Sequence, residues 1–294
     1  MISNKPTLGF IGIGLMGKPM TLRLINAGFK LNVWNRSPEK LQSVTDAGAI
    51  ACASVAELVK VVDVIILCLA DTEAVEAVVN NGIANYGTPS KLVIDLSSIH
   101  PETTRQIAVH LQRQCGMGWV DAPVSGGVVG AEQGNLAIMA GGSDHDIEIA
   151  RQVLMPLYRQ LTHMGEVGSG QVTKICNQMI VSCNVLVIAE MMALAQKSGV
   201  DAAKIPAALA GGFADSKPLQ IVGAEMAAGT FEPIKWRVKT LLKDLNMAAD
   251  ISKQQGNAIP MSSLAAQLLQ LHGNSGYLEQ DPATLIKLYS KTHA

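Results

Sequence analysis

Charge is scarce in this sequence: Lys, Arg, Asp and Glu make up 16% of 294 residues and balance to a net −1. That balance gives no basis for expecting nucleic acid or an anionic membrane as a partner. A protein of this kind that handles an anionic substrate must place its few cations locally. Cysteines number five (Cys52, Cys68, Cys115, Cys176, Cys183), scattered and mostly within apolar runs. An odd, scattered set argues against a disulfide framework and for buried thiols in a reducing compartment. No CxxC pair and no His-rich spacing is present, so no metal site is assigned. Met1-Ile2-Ser3-Asn4-Lys5-Pro6 runs straight into a strand-like segment without an apolar signal region, and a cytoplasmic location is the expectation. The most hydrophobic stretch, Met179 to Ala195, contains Asn184 and Glu190 and sits near the lower length limit for a membrane span. It reads as a buried helix.

What the sequence has in quantity is apolar residue, 48% of the chain, at a length that suits two domains. The first half alternates short β-branched runs with helical segments. Strands are expected at Leu8 to Ile11, Leu31 to Trp34, Asp63 to Leu69, Leu92 to Asp95, Trp119-Val120 and Leu136 to Ala140. Helices are expected at Met16 to Ala27, at Pro38 to Ala47 and after Pro101. The Asp63–Leu69 run is almost continuously apolar, as a strand covered on both faces would be. Alternation of this kind implies a doubly wound parallel sheet with helices on both faces, an α/β domain of Rossmann type.

The pattern changes near Gly168-Ser169-Gly170. From Gln171 to Ser198 one long helix is expected, apolar nearly all round, as a helix lying between two domains would be. Further helices are expected at Lys217 to Ala228, Lys239 to Gln255, Met261 to His272 and Pro282 to Lys291. The expected organisation is therefore a dinucleotide-binding domain over 1–167 and an all-helical domain over 168–294, joined by the long helix.

Gly12-Ile13-Gly14-Leu15-Met16-Gly17 follows a strand and opens a helix, which is the context a dinucleotide fingerprint requires. Gly12 permits the tight turn, Gly14 lets the backbone approach a pyrophosphate, and Gly17 lets helix pack on strand. The helix N-terminus supplies N–H groups and partial positive charge. The plainer alternative is a glycine-rich turn. At the end of the second strand an NAD site usually carries an acidic residue for the ribose 2′-OH, but this sequence has Asn35-Arg36-Ser37. Arg36 can clamp a 2′-phosphate, with Asn35 and Ser37 donating further bonds, whereas a carboxylate would repel it. NADP is the expected cofactor, with NAD possible. The competing reading of Arg36 is a surface cation in the turn before Pro38.

Four segments, GFIGIGLMGKPM (9–20), DAPVSGGVVGAEQGNLAIMAGG (121–142), GSGQVTKICNQ (168–178) and KDL (243–245), resemble the β-hydroxyacid dehydrogenases, the group of 3-hydroxyisobutyrate dehydrogenase and tartronate semialdehyde (2-hydroxy-3-oxopropionate) reductase. The resemblance runs in order over nearly the whole chain. It implies a Rossmann-type domain, a helical domain, and an active site in the cleft between them. It makes Lys174 the catalytic residue and Ser125, Gly126 and Gly127 the loop that takes the substrate carboxylate. Asn177 and Gln178, candidate substrate contacts, fall on a stretch that reads Asn-Asn in many members, the second of which contacts substrate; here that second residue is Gln178, a departure from the pattern. Leu69, Ala70, the pair Ser97-Ser98 and Lys243 fall on cofactor contacts, with Ala70 standing where proline is common and Asp244 behind Lys243.

These residues suit the chemistry. Hydride transfer to a carbonyl builds negative charge on oxygen, and a lysine can protonate it if its pKa lies well below about 10.4. Burial among apolar groups with a cation nearby has that effect. Asn177 and Gln178 follow Lys174 at i+3 and i+4, so the three project from one helical face. A Ser-Gly-Gly turn can aim successive N–H groups at an anion. No histidine occupies a partner motif that would make Ser125 a hydrolytic nucleophile. Taken singly, Lys174 would read as a solvated charge, the glycine turn as a surface loop and Lys243-Asp244 as a solvated helix face. Residues 211–216 are a further candidate lining of the substrate pocket. The expected activity is oxidoreduction of a small anionic 3-hydroxy acid by a homodimer or homotetramer. An imine reductase would usually replace the lysine, and a non-catalytic NADP binder would lack the lysine or the Ser-Gly-Gly turn.

Overall fold

The structure, a computed structural model, describes residues 5–290 and divides into two compact units after Lys174. In the first unit, β1 (Leu8–Ile11), β2 (Leu31–Trp34), β3 (Ile50–Ala51), β4 (Val64–Leu67), β5 (Leu92–Asp95) and β6 (Gly118–Asp121) form a parallel sheet in the order 3-2-1-4-5-6. This is the doubly wound order in which the direction of winding reverses between β1 and β4. Apolar residues alternate between two buried layers along each central strand. In β4, Val64 and Ile66 join Phe10, Leu24 and Leu154 on one face, while Ile65 and Leu67 join Leu58, Val75 and Leu111 on the other. Burial on both faces explains the unbroken apolar run at this strand.

Beyond β6 the sheet departs from the all-parallel expectation. β7 (Val124–Ser125) and β8 (Leu136–Gly141) pair antiparallel, β8 also meets β6 antiparallel, and β9 (Tyr158–Gly165) runs parallel to β8. Three strands escape the sequence reading for physical reasons. β3 and β7 span two residues each, and β9 presents mostly half-exposed or exposed side chains, without the apolar run of a central strand. The segment expected as a helix from Pro38 is a 3-10 turn (Pro38–Leu41) followed by one helical turn (Gln42–Thr45).

Helix α1 (Gly17–Asn26) follows β1, α2 (Val55–Val61) precedes β4, α3 (Thr72–Val78) follows it, and α4 (Pro101–Cys115) follows β5. A seven-residue helix, α5 (Gly127–Gln133), follows the Ser125-Gly126-Gly127 turn. Helix α6 (Ser169–Lys197) is 29 residues long and links the two units. In the second unit its residues Val185, Leu186, Ala189 and Met192 form a core with Leu241 and Leu245 of α7 (Val238–Gln255) and Ala265 and Leu269 of α8 (Pro260–His272). The last expected helix is a 3-10 segment (Pro282–Ile286) and one turn (Lys287–Ser290); Lys291 lies outside the described residues.

Two expectations about burial need correction. Helix α6 is a core helix along one side only, because Ile180, Val187 and Leu194 remain 70%, 54% and 67% exposed in the single chain. Their spacing of seven keeps them on one stripe of the helix. The five cysteines are all free thiols, but Cys176 is exposed and the other four are half-buried. An apolar neighbourhood in sequence does not fix which side of a helix a residue occupies.

Candidate active site

The glycine-rich loop is shaped by contacts that leave no room for side chains. Gly12 has φ +105, and a Cβ there would lie 2.2 Å from the Cys68 carbonyl oxygen. A Cβ on Gly17 would lie 1.9 Å from the Gly12 carbonyl oxygen. Gly14 differs: a Cβ there would meet no protein atom within 4 Å, so packing within the chain does not demand glycine at this position. An approaching ligand would. The helix that follows is prepared in the same sense. Helices α2 and α3 are capped by Ser54 and Asp71 and carry Glu57 and Glu73 in their first turns. Helix α1 has no side-chain cap and no acidic residue in its first turn. Its N–H groups and dipole are left to an anion such as a pyrophosphate.

A cavity of about 760 Å³ opens beside this loop. Gly12, Ile13, Gly14, Asn35, Arg36, Ser37, Leu69 and Ala70 line it, together with Lys40, Ser54, Asp71 and Glu73. The residues present fit a dinucleotide. Asn35 braces the loop, its Oδ1 accepting the Ile13 N–H at 2.9 Å and its Nδ2 donating to the Ser37 carbonyl at 2.9 Å. Arg36 and Lys40 are exposed at the rim, and among the described residues neither forms an ion pair. Lys40 was not singled out in the sequence, although it stands four residues beyond Arg36. Leu15, Met16 and Gly17 are not among the cavity-lining residues. Leu15 is exposed, Met16 packs on the core and Gly17 is buried at the helix start.

The carboxyl ends of β4, β5 and β6 are joined by a buried hydrogen-bond network. The Leu69 N–H donates to Ser97 Oγ at 2.9 Å, and the Ser97 N–H donates to Asp95 Oδ1 at 2.9 Å. Gln171, in the first turn of α6, donates from Nε2 to the Ser97 carbonyl at 2.9 Å and accepts the Ile99 N–H on Oε1 at 3.1 Å. The Gly168 and Gln171 N–H groups donate to the two carboxylate oxygens of Asp121 at 2.7 and 2.9 Å. Burial, with Asp95 adding to it, pushes the Asp121 carboxyl up to about 7 against the pull of those N–H donors. Ser98, the candidate cofactor contact, follows Ser97 directly. Burial also pushes the Cys68 thiol, another cavity-lining group, up to about 12, so it stays neutral.

Lys174 is half-buried and lies one turn beyond Gln171 on α6. Further along this helix a second chain of bonds forms. Asn177 Nδ2 donates to Gln178 Oε1 at 2.9 Å, Gln178 Nε2 donates to Asp244 Oδ2 at 2.7 Å, and Lys243 Nζ lies 3.4 Å from Asp244 Oδ1. Asp244 is buried at 1% exposure, so its charge requires these partners. The Ser125-Gly126-Gly127 turn lies outside the cavity lining. Gly126 and Gly127 have φ +140 and +64, and α5 begins there without a side-chain cap or an early acidic residue.

The sheet order and the loop define a Rossmann-type dinucleotide-binding protein. Residues 7–165 match the NAD-binding domain of 6-phosphogluconate dehydrogenase, and residues 168–289 match the domain described as NAD-binding of NADP-dependent 3-hydroxyisobutyrate dehydrogenase. The chain is 33% identical over 282 residues to 2-hydroxy-3-oxopropionate reductase of Escherichia coli, covering 95% of this chain and 96% of that one. It is 31% identical over 293 residues to the NAD-dependent L-serine dehydrogenase of Pseudomonas aeruginosa, covering 97% and 98%. The structure of Mycobacterium tuberculosis 3-hydroxyisobutyrate dehydrogenase with L-serine matches with a TM-score of 0.87 at 28% identity, over 98% of this chain and 100% of that one. The chain belongs to the β-hydroxyacid dehydrogenase family, NAD(P)-dependent oxidoreductases that act on the CH–OH group of 3-hydroxy acids.

The contrast between the glycines yields a test. Gly14→Ala should leave the melting temperature unchanged while weakening dinucleotide binding at least about tenfold, a difference of about 1.4 kcal/mol. Gly17→Ala should lower the melting temperature, because its methyl group meets backbone. Calorimetric melting and cofactor titration of both variants measure this, and a Gly14→Ala protein with unchanged cofactor affinity would refute the assignment of that position.

Proposed function

We propose that the chain transfers hydride between NADP(H) and a small 3-hydroxy acid/semialdehyde pair, of the kind handled by 2-hydroxy-3-oxopropionate reductase or 3-hydroxyisobutyrate dehydrogenase, in the cytoplasm. Lys174 protonates the carbonyl oxygen as hydride arrives and takes the proton back in the reverse direction. One observation carries the reading: the helix bearing Lys174 begins on the carboxyl ends of β5 and β6, bonded through Gln171 to the residue beside Ser98. Ligands of doubly wound sheets sit outside those strand ends. Asn177, one turn beyond Lys174, offers an amide on the same helical face, and Gln178 and Asp244 hold that amide in place. Ser125, Gly126 and Gly127 take the substrate carboxylate on backbone N–H groups, a role that favours glycines with left-handed φ. Lys243, held beside Asp244, serves the nicotinamide end.

The experiment is a screen of tartronate semialdehyde, methylmalonate semialdehyde and a set of imines with NADPH and NADH, followed by nicotinamide absorbance. Turnover of a 3-oxo acid is expected. Turnover of imines alone would make the chain an imine reductase, and tight NADPH binding without any turnover would leave a non-catalytic binder. Lys174→Ala should reduce kcat by about 100- to 10,000-fold, the range for loss of a general acid, with cofactor affinity retained. A variant that kept most of its activity would move the proton donor elsewhere.

For the cofactor, Arg36 and Lys40 together support NADP: two cations at one rim of the cavity suit a 2′-phosphate, and no carboxylate ends β2. Arg36→Asp should weaken NADPH binding at least about tenfold and move preference toward NADH, because a charge-assisted pair becomes a repulsion. An unchanged ratio of kcat/KM for the two cofactors would refute the assignment. For assembly, the exposed stripe of Ile180, Val187 and Leu194 on α6 and the exposed Met261, Leu264 and Leu271 on α8 support a homodimer or homotetramer. The two helices are neighbours, with Cys183 Sγ 4.0 Å from Ser262 Oγ. Sedimentation should find a dimer or larger that Val187→Glu with Leu264→Glu dissociates; a monomeric wild type would end this part of the proposal.

A further inference from the structure

The network at the start of α6 has more bonds than a helix terminus requires. A side-chain cap on N–H groups is the ordinary solution, and Ser54 and Asp71 provide it for α2 and α3 from adjacent positions in sequence. The cap of α6 comes instead from Asp121, forty-seven residues upstream of Gly168 at the end of β6, and it takes two N–H groups at once. The helix start is pressed onto the sheet so closely that a Cβ on Gly170 would lie 2.5 Å from the Met139 carbonyl oxygen and 2.7 Å from that of Asp121. Gln171, fully buried, then uses both ends of its amide on the segment after β5, whose Ser97 hydroxyl in turn accepts the N–H of Leu69. Leu69 lines the cofactor cavity. A side chain three residues before Lys174 is thus linked, through Ser97, to the Leu69 backbone that borders the cavity.

We propose that Asp121 and Gln171 are positioning residues that fix the first turn of α6 against the ends of β4, β5 and β6, and thereby set where the Lys174 amine stands relative to the cofactor. The inference rests on the reading of Lys174 as proton donor. Asp121 fixes the height of the turn above the sheet. Gln171 fixes its rotation, because an amide that donates to Ser97 and accepts from Ile99 satisfies both only in one orientation of the helix. Neither residue touches the reacting atoms. Displacing a catalytic group by about 1 Å can cost about 100-fold in rate without loss of binding.

The test measures kcat, KM, NADPH affinity and melting temperature for Gln171→Met, Gln171→Glu and Asp121→Asn, with Lys174→Ala alongside, on the 3-oxo acid turned over fastest. Gln171→Met, similar in shape but without the amide, is expected to lose about 100-fold in kcat with NADPH affinity and KM within about threefold. Gln171→Glu should recover activity as pH falls, because only a protonated carboxyl can donate to Ser97 while accepting from Ile99; Gln171→Met should show no such recovery. Asp121→Asn keeps one acceptor for the two N–H groups and gives a second reading should Gln171→Met fail to fold. Wild-type kcat in both Gln171→Met and Asp121→Asn, with Lys174→Ala inactive, would overturn the positioning role and leave the donor assignment standing. So would NADPH affinity falling as far as kcat, which is the mark of a merely structural role. An active Lys174→Ala would remove the donor assignment and this inference with it.

Discussion

A hydrogen atom is the largest side chain that fits at Gly12 and Gly17, the two ends of the turn from β1 into α1. The carbonyl oxygen of Gly12 and the backbone of Gly17 approach so closely that any Cβ at position 17 would overlap it, and the Cys68 carbonyl closes the other side of Gly12. Because the turn is this tight, the N-terminus of α1 stands directly over the carboxyl edge of the sheet, between strands whose neighbours wind in opposite directions. The cavity, the position of Arg36 at the end of β2 and the loop at Leu69-Ala70 take their places from that edge. A looser turn would leave a sheet with helices and no cradle.

The same edge is used twice. On one side of the switch it offers backbone N–H groups and a helix dipole that suit a dinucleotide. On the other it receives the start of a helix through a carboxylate and an amide. Burying a carboxylate such as Asp121 at 0% exposure costs several kcal/mol unless hydrogen bonds hold its charge. The two N–H groups of the α6 start provide those bonds, so strand end and helix start stabilise each other. This reciprocity matters in a chain with so little charge: its buried acids, Asp95, Asp121, Asp244 and Asp281, are set in hydrogen-bond networks, to which Lys243 adds an ion pair at Asp244. The same economy of charge leaves apolar stripes on α6 and α8, where a more polar chain would be solvated.

The central strands and the glycine loop were legible in the sequence because their causes are local, whereas the order in which those strands pair was not read from it. A continuous apolar run, a Gly-x-Gly turn and the absence of an acid after β2 each follow from a few neighbouring residues. The antiparallel extension from β7 to β9 was not legible, since strands of two residues carry no period and an edge strand with exposed side chains carries little apolar signal. Lys40 escaped for a related reason: it follows a proline turn, and only the folded 3-10 segment shows that it faces the cavity with Arg36. Asp121 and Gln171 have partners 47 to 74 residues away, a separation that no local pattern records.

The sequence by itself determined the α/β architecture followed by a helical part and the glycine turn after β1, because hydrophobic period and glycine placement act over one turn or one strand. Only the tertiary structure decided which face of α6 is core and which is bare, that Gln178 answers to Asp244, and that the helix carrying Lys174 is bonded to the segment after β5, which in turn holds the cavity-lining Leu69. Those are matters of which distant groups meet, and a hydrogen bond between buried groups exists only once the chain has brought both out of water.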